Sequence, residues 1–154
     1  MSTSSEVLAI SDIQVIMRHL QCAIVLACRG KHWTLLQNAT RALWNTINTL
    51  LQACSTRVEG ERRETILGAV YGLALRPLCF AARGLIELVE NLDGGGRGLP
   101  HVASLHFTEC LDDCNAMGMA FIKQIVFLAT HTLYAHQHWE KMIEIALRFD
   151  DVTE

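Results

Sequence analysis

From Trp33 to Cys54 an apolar residue recurs every third or fourth position: Trp33, Leu36, Ala39, Leu43, Ile47, Leu50 and Cys54. At 3.6 residues per turn an α-helix gathers such a set on one face, and the run lasts about six turns. The alternating apolar pattern of a half-buried strand does not stand out in the sequence. The chain reads as all-α, and the remaining question is where its helices begin and end.

Ile13, Ile16, Met17, Leu20, Ile24 and Ala27 form another stripe, preceded by the capping-box pattern Ser11-Asp12-Ile13-Gln14 and closed by Gly30 as a left-handed stop. The spacing predicts helices over 12–29 and 32–53. Their short link favours an antiparallel hairpin. Polar residues 55–61, with Gly60, read as a loop. Residues 62–92 are apolar nearly all round, as in a helix buried between neighbours. Pro77 is expected to kink or break it, two helices meeting at Arg76-Pro77 being the alternative, and Gly68, Gly72 and Gly84 to weaken it. Leu111, Cys114, Gly118, Phe121, Ile125, Leu128, Thr132 and Leu133 predict a helix over 103–135. Trp139, Met142, Ile143, Ala146 and Leu147 predict the last, over 137–149. The organisation expected is a disordered N-terminus at 1–10, a first helical-hairpin half at 11–92, a glycine-rich linker at 93–100 and a second half at 101–154.

Of 154 residues, 51% are hydrophobic and 19% charged, which excludes a solvated disordered chain. The net charge of −3 argues against a nucleic-acid binder, which carries a basic stripe. Residues 1–5 lack the charged and apolar regions of a secretory signal. The windows 66–82 and 124–139 read as too short or too polar to span a membrane, so no membrane insertion is expected. Six cysteines without a signal point to reduced thiols and a cytoplasmic location. Mean hydropathy is positive, so part of the apolar surface is expected to meet a partner protein.

Two stretches echo each other. Ala27-Cys28-Arg29-Gly30-Lys31-His32-Trp33 precedes Leu36, Ala39 and Ala42-Leu43-Trp44. Tyr134-Ala135-His136-Gln137-His138-Trp139 precedes Ile143 and Ala146-Leu147-Arg148-Phe149. Each places His-Trp at a helix start. The tryptophans lie 106 positions apart, which suits three units of tetratricopeptide length. The Gly, Tyr and Pro of a strict tetratricopeptide motif are missing. The fold class expected is stacked antiparallel αα-hairpins, a tetratricopeptide-like α-solenoid segment packed through Trp33, Leu36, Leu43, Phe121, Trp139 and Ile143. Trp44 lies off the stripe and is the candidate partner surface.

Catalytic signatures are weak. Cys110 and Cys114 lie one turn apart with His106 a turn earlier, but a structural zinc site needs four ligands. His136-x-His138 has no acidic residue at a diagnostic spacing. HExxH, GxSxG, the P-loop and GxGxxG before a helix are absent. Cys22, Cys28, Cys54 and Cys79 read as buried packing residues. The expectation is a non-enzyme with no cofactor and no metal.

Residues 20–44 (LQCAIVLACRGKHWTLLQNATRALW) and 127–149 (FLATHTLYAHQHWEKMIEIALRF) resemble helical-repeat segments of the very large cilia- and flagella-associated scaffold proteins of the axoneme. Such proteins run to thousands of residues, so the resemblance implies a fragment, a short isoform or a truncated relative. The final Asp150-Asp151-Val152-Thr153-Glu154, with no strong capping signal, agrees. The resemblance also implies a scaffold role in assembly and motility of the cilium or flagellum (central apparatus), with axonemal or cytoskeletal protein partners and no active site. Two rival readings are a small cytosolic helical adaptor outside cilia, and a helical metal protein or enzyme using His106, Cys110, Cys114 or the His136/His138 pair.

Overall fold

The computed structural model describes residues 10–57, 60–93 and 117–153. They form five helices: α1 (Ile10–Gly30), α2 (Trp33–Arg57), α3 (Glu61–Asp93), α4 (Met119–Ala135) and α5 (Trp139–Asp151). Among the described residues there is no strand. Residues 1–9 of the expected N-terminus, 94–100 of the expected linker, and the expected start of a helix at residue 103 lie outside them, while Ile10 and Asp93 are helical.

The helix ends correct several expectations. Ser11 sits inside α1 rather than capping it. Gly30 is the last helical residue, and Lys31 takes the left-handed conformation, φ 54°. The His32 N–H donates to the Ala27 carbonyl at 2.9 Å and the Lys31 N–H to Cys28 at 3.2 Å, a Schellman closure. Gly118 is not mid-helix but the extended N-cap of α4, at φ −66° and ψ 150°. α3 runs through Pro77 without a break. The proline costs about 3 kcal/mol in a helix interior. Leu78, Leu85 and Ile86 are wholly buried, at about 1.5–3 kcal/mol each, so packing outweighs the lost bond.

α1, α2 and α3 pack on one another, α4 packs on α3, and α5 on α4 with a lighter contact to α3. α3 therefore touches all four other helices. Its first half buries a narrow row, Ile66, Val70 and Ala74. Its second half is buried nearly all round, at Ala81, Ala82, Leu85, Ile86, Leu88 and Val89. α1 and α3 are each long and apolar enough, by length and composition, to cross a membrane, which corrects the reading that no stretch qualifies. About 39% of that apolar window of α3 is buried against the other helices.

The α1–α2 turn sits against Gly84. A Cβ added there would lie 2.5 Å from the Cys28 sulfur and 3.1 Å from Leu36 Cδ2, and Leu36 is fully buried. Lys31 from the same turn pairs with Glu87 one turn along α3. Along the same stretch of α3, α5 runs in the same sense as α3. Arg83 pairs with Glu144, and Arg148 binds both oxygens of Glu90 at 2.9–3.0 Å.

Gly84→Ala should destabilise the fold by about 1–3 kcal/mol through overpacking. Gly68→Ala, with nothing within 4 Å of the new methyl, should stabilise it by about 0.5–1 kcal/mol through helix propensity. Urea unfolding of the two variants measures both signs. Gln137 is the other left-handed non-glycine residue, φ 60°. Gln137→Gly should raise stability by up to about 1 kcal/mol in the same assay.

Candidate functional site

The two hairpin turns have the same backbone closure. In the α4–α5 turn the Gln137 N–H donates to Tyr134 at 3.0 Å and the His138 N–H to Leu133 at 2.9 Å. These bonds match those of Lys31 and His32, shifted by 106 positions. The first bonds of the following helices match as well: Leu36 N–H to His32 at 2.9 Å, and Met142 N–H to His138 at 3.1 Å. The echo in the sequence is thus a repeated turn, with left-handed Lys31 and Gln137 in equivalent places.

The same shift carries Leu36, Ala39 and Leu43 of α2 onto Met142, Ile145 and Phe149 of α5. Both sets face inward, the first buried and the second buried at Ile145 and half-buried elsewhere. A second face behaves differently. Trp33, Gln37 and Thr40 on α2 are 2%, 4% and 0% exposed. Trp139 and Ile143, the equivalents of the first two, are 46% and 51% exposed, and Ala146 is exposed too.

The start of α4 covers part of that face on α2. The Gln37 side chain accepts a hydrogen bond from the Met117 N–H at 2.7 Å and donates to the Trp33 carbonyl at 3.3 Å. Trp44 meets Phe121 edge to face, centroids 5.6 Å apart. Trp44, expected as a partner surface, is therefore half-buried inside the assembly. Phe121 is half-buried as its counterpart. Trp139 and Ile143, expected as packing residues, lie at the surface, and among the described residues nothing touches that face of α5 as Met117 and Phe121 touch the face of α2. Trp139 instead makes an edge contact with Tyr134 at 5.0 Å.

The resulting surface is apolar. Phe127 is 71% exposed on α4, beside Tyr134, and Leu147 continues the α5 row of Trp139 and Ile143. An open groove of about 630 Å³ runs between Phe127 and Thr130 on α4 and Ala146 and Phe149 on α5. α1 shows a smaller apolar face at Val15, Ile16 and Leu26. Gln37 was not singled out by periodicity. Its one signal is a polar side chain exactly one helical turn after Trp33, at the edge of the apolar stripe.

Chemistry-bearing residues are scattered. His106, Cys110 and Cys114 lie outside the described residues. His136 Nδ1 is 2.9 Å from the Thr132 carbonyl, and its ring packs toward Gly72. Among the described residues no three His, Cys, Asp or Glu side chains gather as a metal site would require. Cys54 is buried and Cys28 and Cys79 half-buried, whereas Cys22 is exposed, against expectation. It lies two residues, about 200° of helix, from buried Ile24. Burial pushes the Cys28 thiol up, and Glu87 pushes it further, opposed by Lys31 and a backbone hydrogen bond.

Trp33→Ala should cost about 3–5 kcal/mol, the price of emptying a buried aromatic site. Trp139→Ala should cost about 0.5–1.5 kcal/mol, the worth of its edge contact with Tyr134. Denaturant unfolding of the two single variants compares them directly.

No family model matches the chain, and no solved structure matches it. Across 85% of this chain, in an alignment of 152 positions, it is 29% identical to the cilia- and flagella-associated protein 54 of Homo sapiens. In an alignment of 156 positions it is 26% identical to the protein of the same name in Mus musculus, again across 85% of this chain. The chain spans 5% of the length of each relative. The chain, whose described residues form five helices and no strand, is thus similar to one short segment of a cilia- and flagella-associated protein.

Proposed function

We propose that this chain is a non-enzymatic helical scaffold segment of the cilium or flagellum, working by protein–protein contact within the axoneme and its central apparatus. Its stacked hairpins act as a piece of a tetratricopeptide-like solenoid. The carrying observation is the row Trp139, Ile143 and Ala146, which is bare on α5 where the equivalent positions on α2 are covered. The occupant is an amphipathic helix of a partner protein, laid along α5 with apolar anchors at helical spacing. The likeness to cilia- and flagella-associated protein 54 supports the ciliary setting.

The test is localisation of the tagged chain in ciliated cells, with and without Ile143→Gln plus Leu147→Gln. Both sites are exposed and glutamine is a good helix former, so stability should change by less than about 1 kcal/mol. The unmodified chain should be retained on detergent-extracted axonemes and the double variant released. A diffuse unmodified chain would remove the ciliary assignment. Full retention of the double variant would remove α5 as the contact face.

A further inference from the structure

A second cleft, of about 340 Å³, opens between Gln21 of α1, α3 and the α4–α5 turn. Its cations come from two helices. Arg76 and Arg83 belong to one row of α3, with Cys79 between them at steps of three and four. Lys141 comes from the first turn of α5, beside His138. Among the described residues no carboxylate lines this cleft, in a chain whose net charge is −3. Glu144 pairs with Arg83 from outside the lining, and among the described residues Arg76 and Lys141 have no carboxylate partner.

Three further observations bear on what would enter. The Arg83 Nε–H is buried without an acceptor among the described residues. Burial pushes the half-buried Cys79 thiol up, while Arg83 and Lys141 pull against it and Glu144 adds to it, so the fields of both cations reach this one sulfur. His138, the N-cap of α5, makes no side-chain cap hydrogen bond, so the first backbone N–H groups of α5 lack a side-chain acceptor there, with Lys141 and Glu140 in the same turn.

We propose that this cleft is a socket for an acidic peptide, whose carboxylates are held by Arg76, Arg83 and Lys141. Phe80, 38% exposed on the wall, offers apolar contact that a peptide can use and an inorganic anion cannot. The socket lies on a different surface from the Trp139 row and does not depend on it.

Cys79 reports occupancy. The probe is a hexaglutamate peptide at low salt, and the readout is the rate of thiol alkylation at Cys79, resolved from exposed Cys22 by peptide mass mapping. Hexaglutamate should slow alkylation of Cys79 and leave Cys22 unchanged, and added salt should abolish the effect by screening. In the double variant Arg76→Gln, Lys141→Gln the peptide concentration for half-protection should rise about tenfold or more, as for loss of charge-assisted hydrogen bonds. Arg76 and Lys141 are exposed, so the variant should keep its helical spectrum. Absence of protection, or equal protection of the unmodified chain and the double variant, would overturn the socket. Equal protection by inorganic phosphate at matched charge would overturn its assignment to peptides.

Discussion

α3 can take α1 and α2 closely because it carries no side chain at Gly84. Gly84 admits the Cys28 sulfur and the Leu36 methyls to within about one atom's diameter of the α3 backbone. Helices pack at 8–10 Å depending on the side chains at the contact, and the short end of that range needs small residues. Ala74 and Ala81, both wholly buried, lie on the same side of α3 as Gly84 and extend the thin strip. The α1–α2 turn closes over this strip, and Lys31 and Glu87 pair across its edge. That pair is exposed and contributes little. The geometry comes from steric fit.

Much of this was legible in the sequence. Steps of three and four apolar residues mark five helices, because a packed helix must show one apolar face whatever it packs against. Their ends were less legible. The left-handed residue after α1 was expected at Gly30, the residue with no steric cost there. It is Lys31, because the two bonds to Ala27 and Cys28 fix which residue must turn. Pro77 reads locally as a break. Whether it becomes one depends on burial energy on both sides of it, which a local pattern does not contain. Gly118 reads as part of a stripe because glycine at a helical interval is silent about its own backbone.

The candidate surface was legible only in part. Trp33 and Trp139 share a turn, a first hydrogen bond and a place at the start of a helix. Sequence reasoning transferred burial along with local structure and expected both to be packed. Local structure does transfer, since the Schellman closure depends on the few residues around it. Burial does not, since it depends on what lies across the face.

The contrast between the two faces also separates packing from recognition. On α2 the face carries Gln37 and Thr40, polar side chains that are buried and fully engaged: Gln37 with Met117 and Trp33, and Thr40 with the Leu36 carbonyl at 2.8 Å. Burying them without partners would cost about 1–3 kcal/mol each; two of the three bonds stay within α2, and the one from Met117 comes from the segment that meets this face. On α5 the equivalent positions are Ile143 and Ala146, which make no directional demand on what covers them. The inner contact within the chain is thus specified in part by a hydrogen bond, whereas the outer face is specified by shape and apolar area alone. A face of that kind accepts any helix with matching knobs, and its selectivity must come from charged groups around it. The acidic residues Glu140 and Asp150 on α5 and the basic Lys123 on α4 stand at that margin.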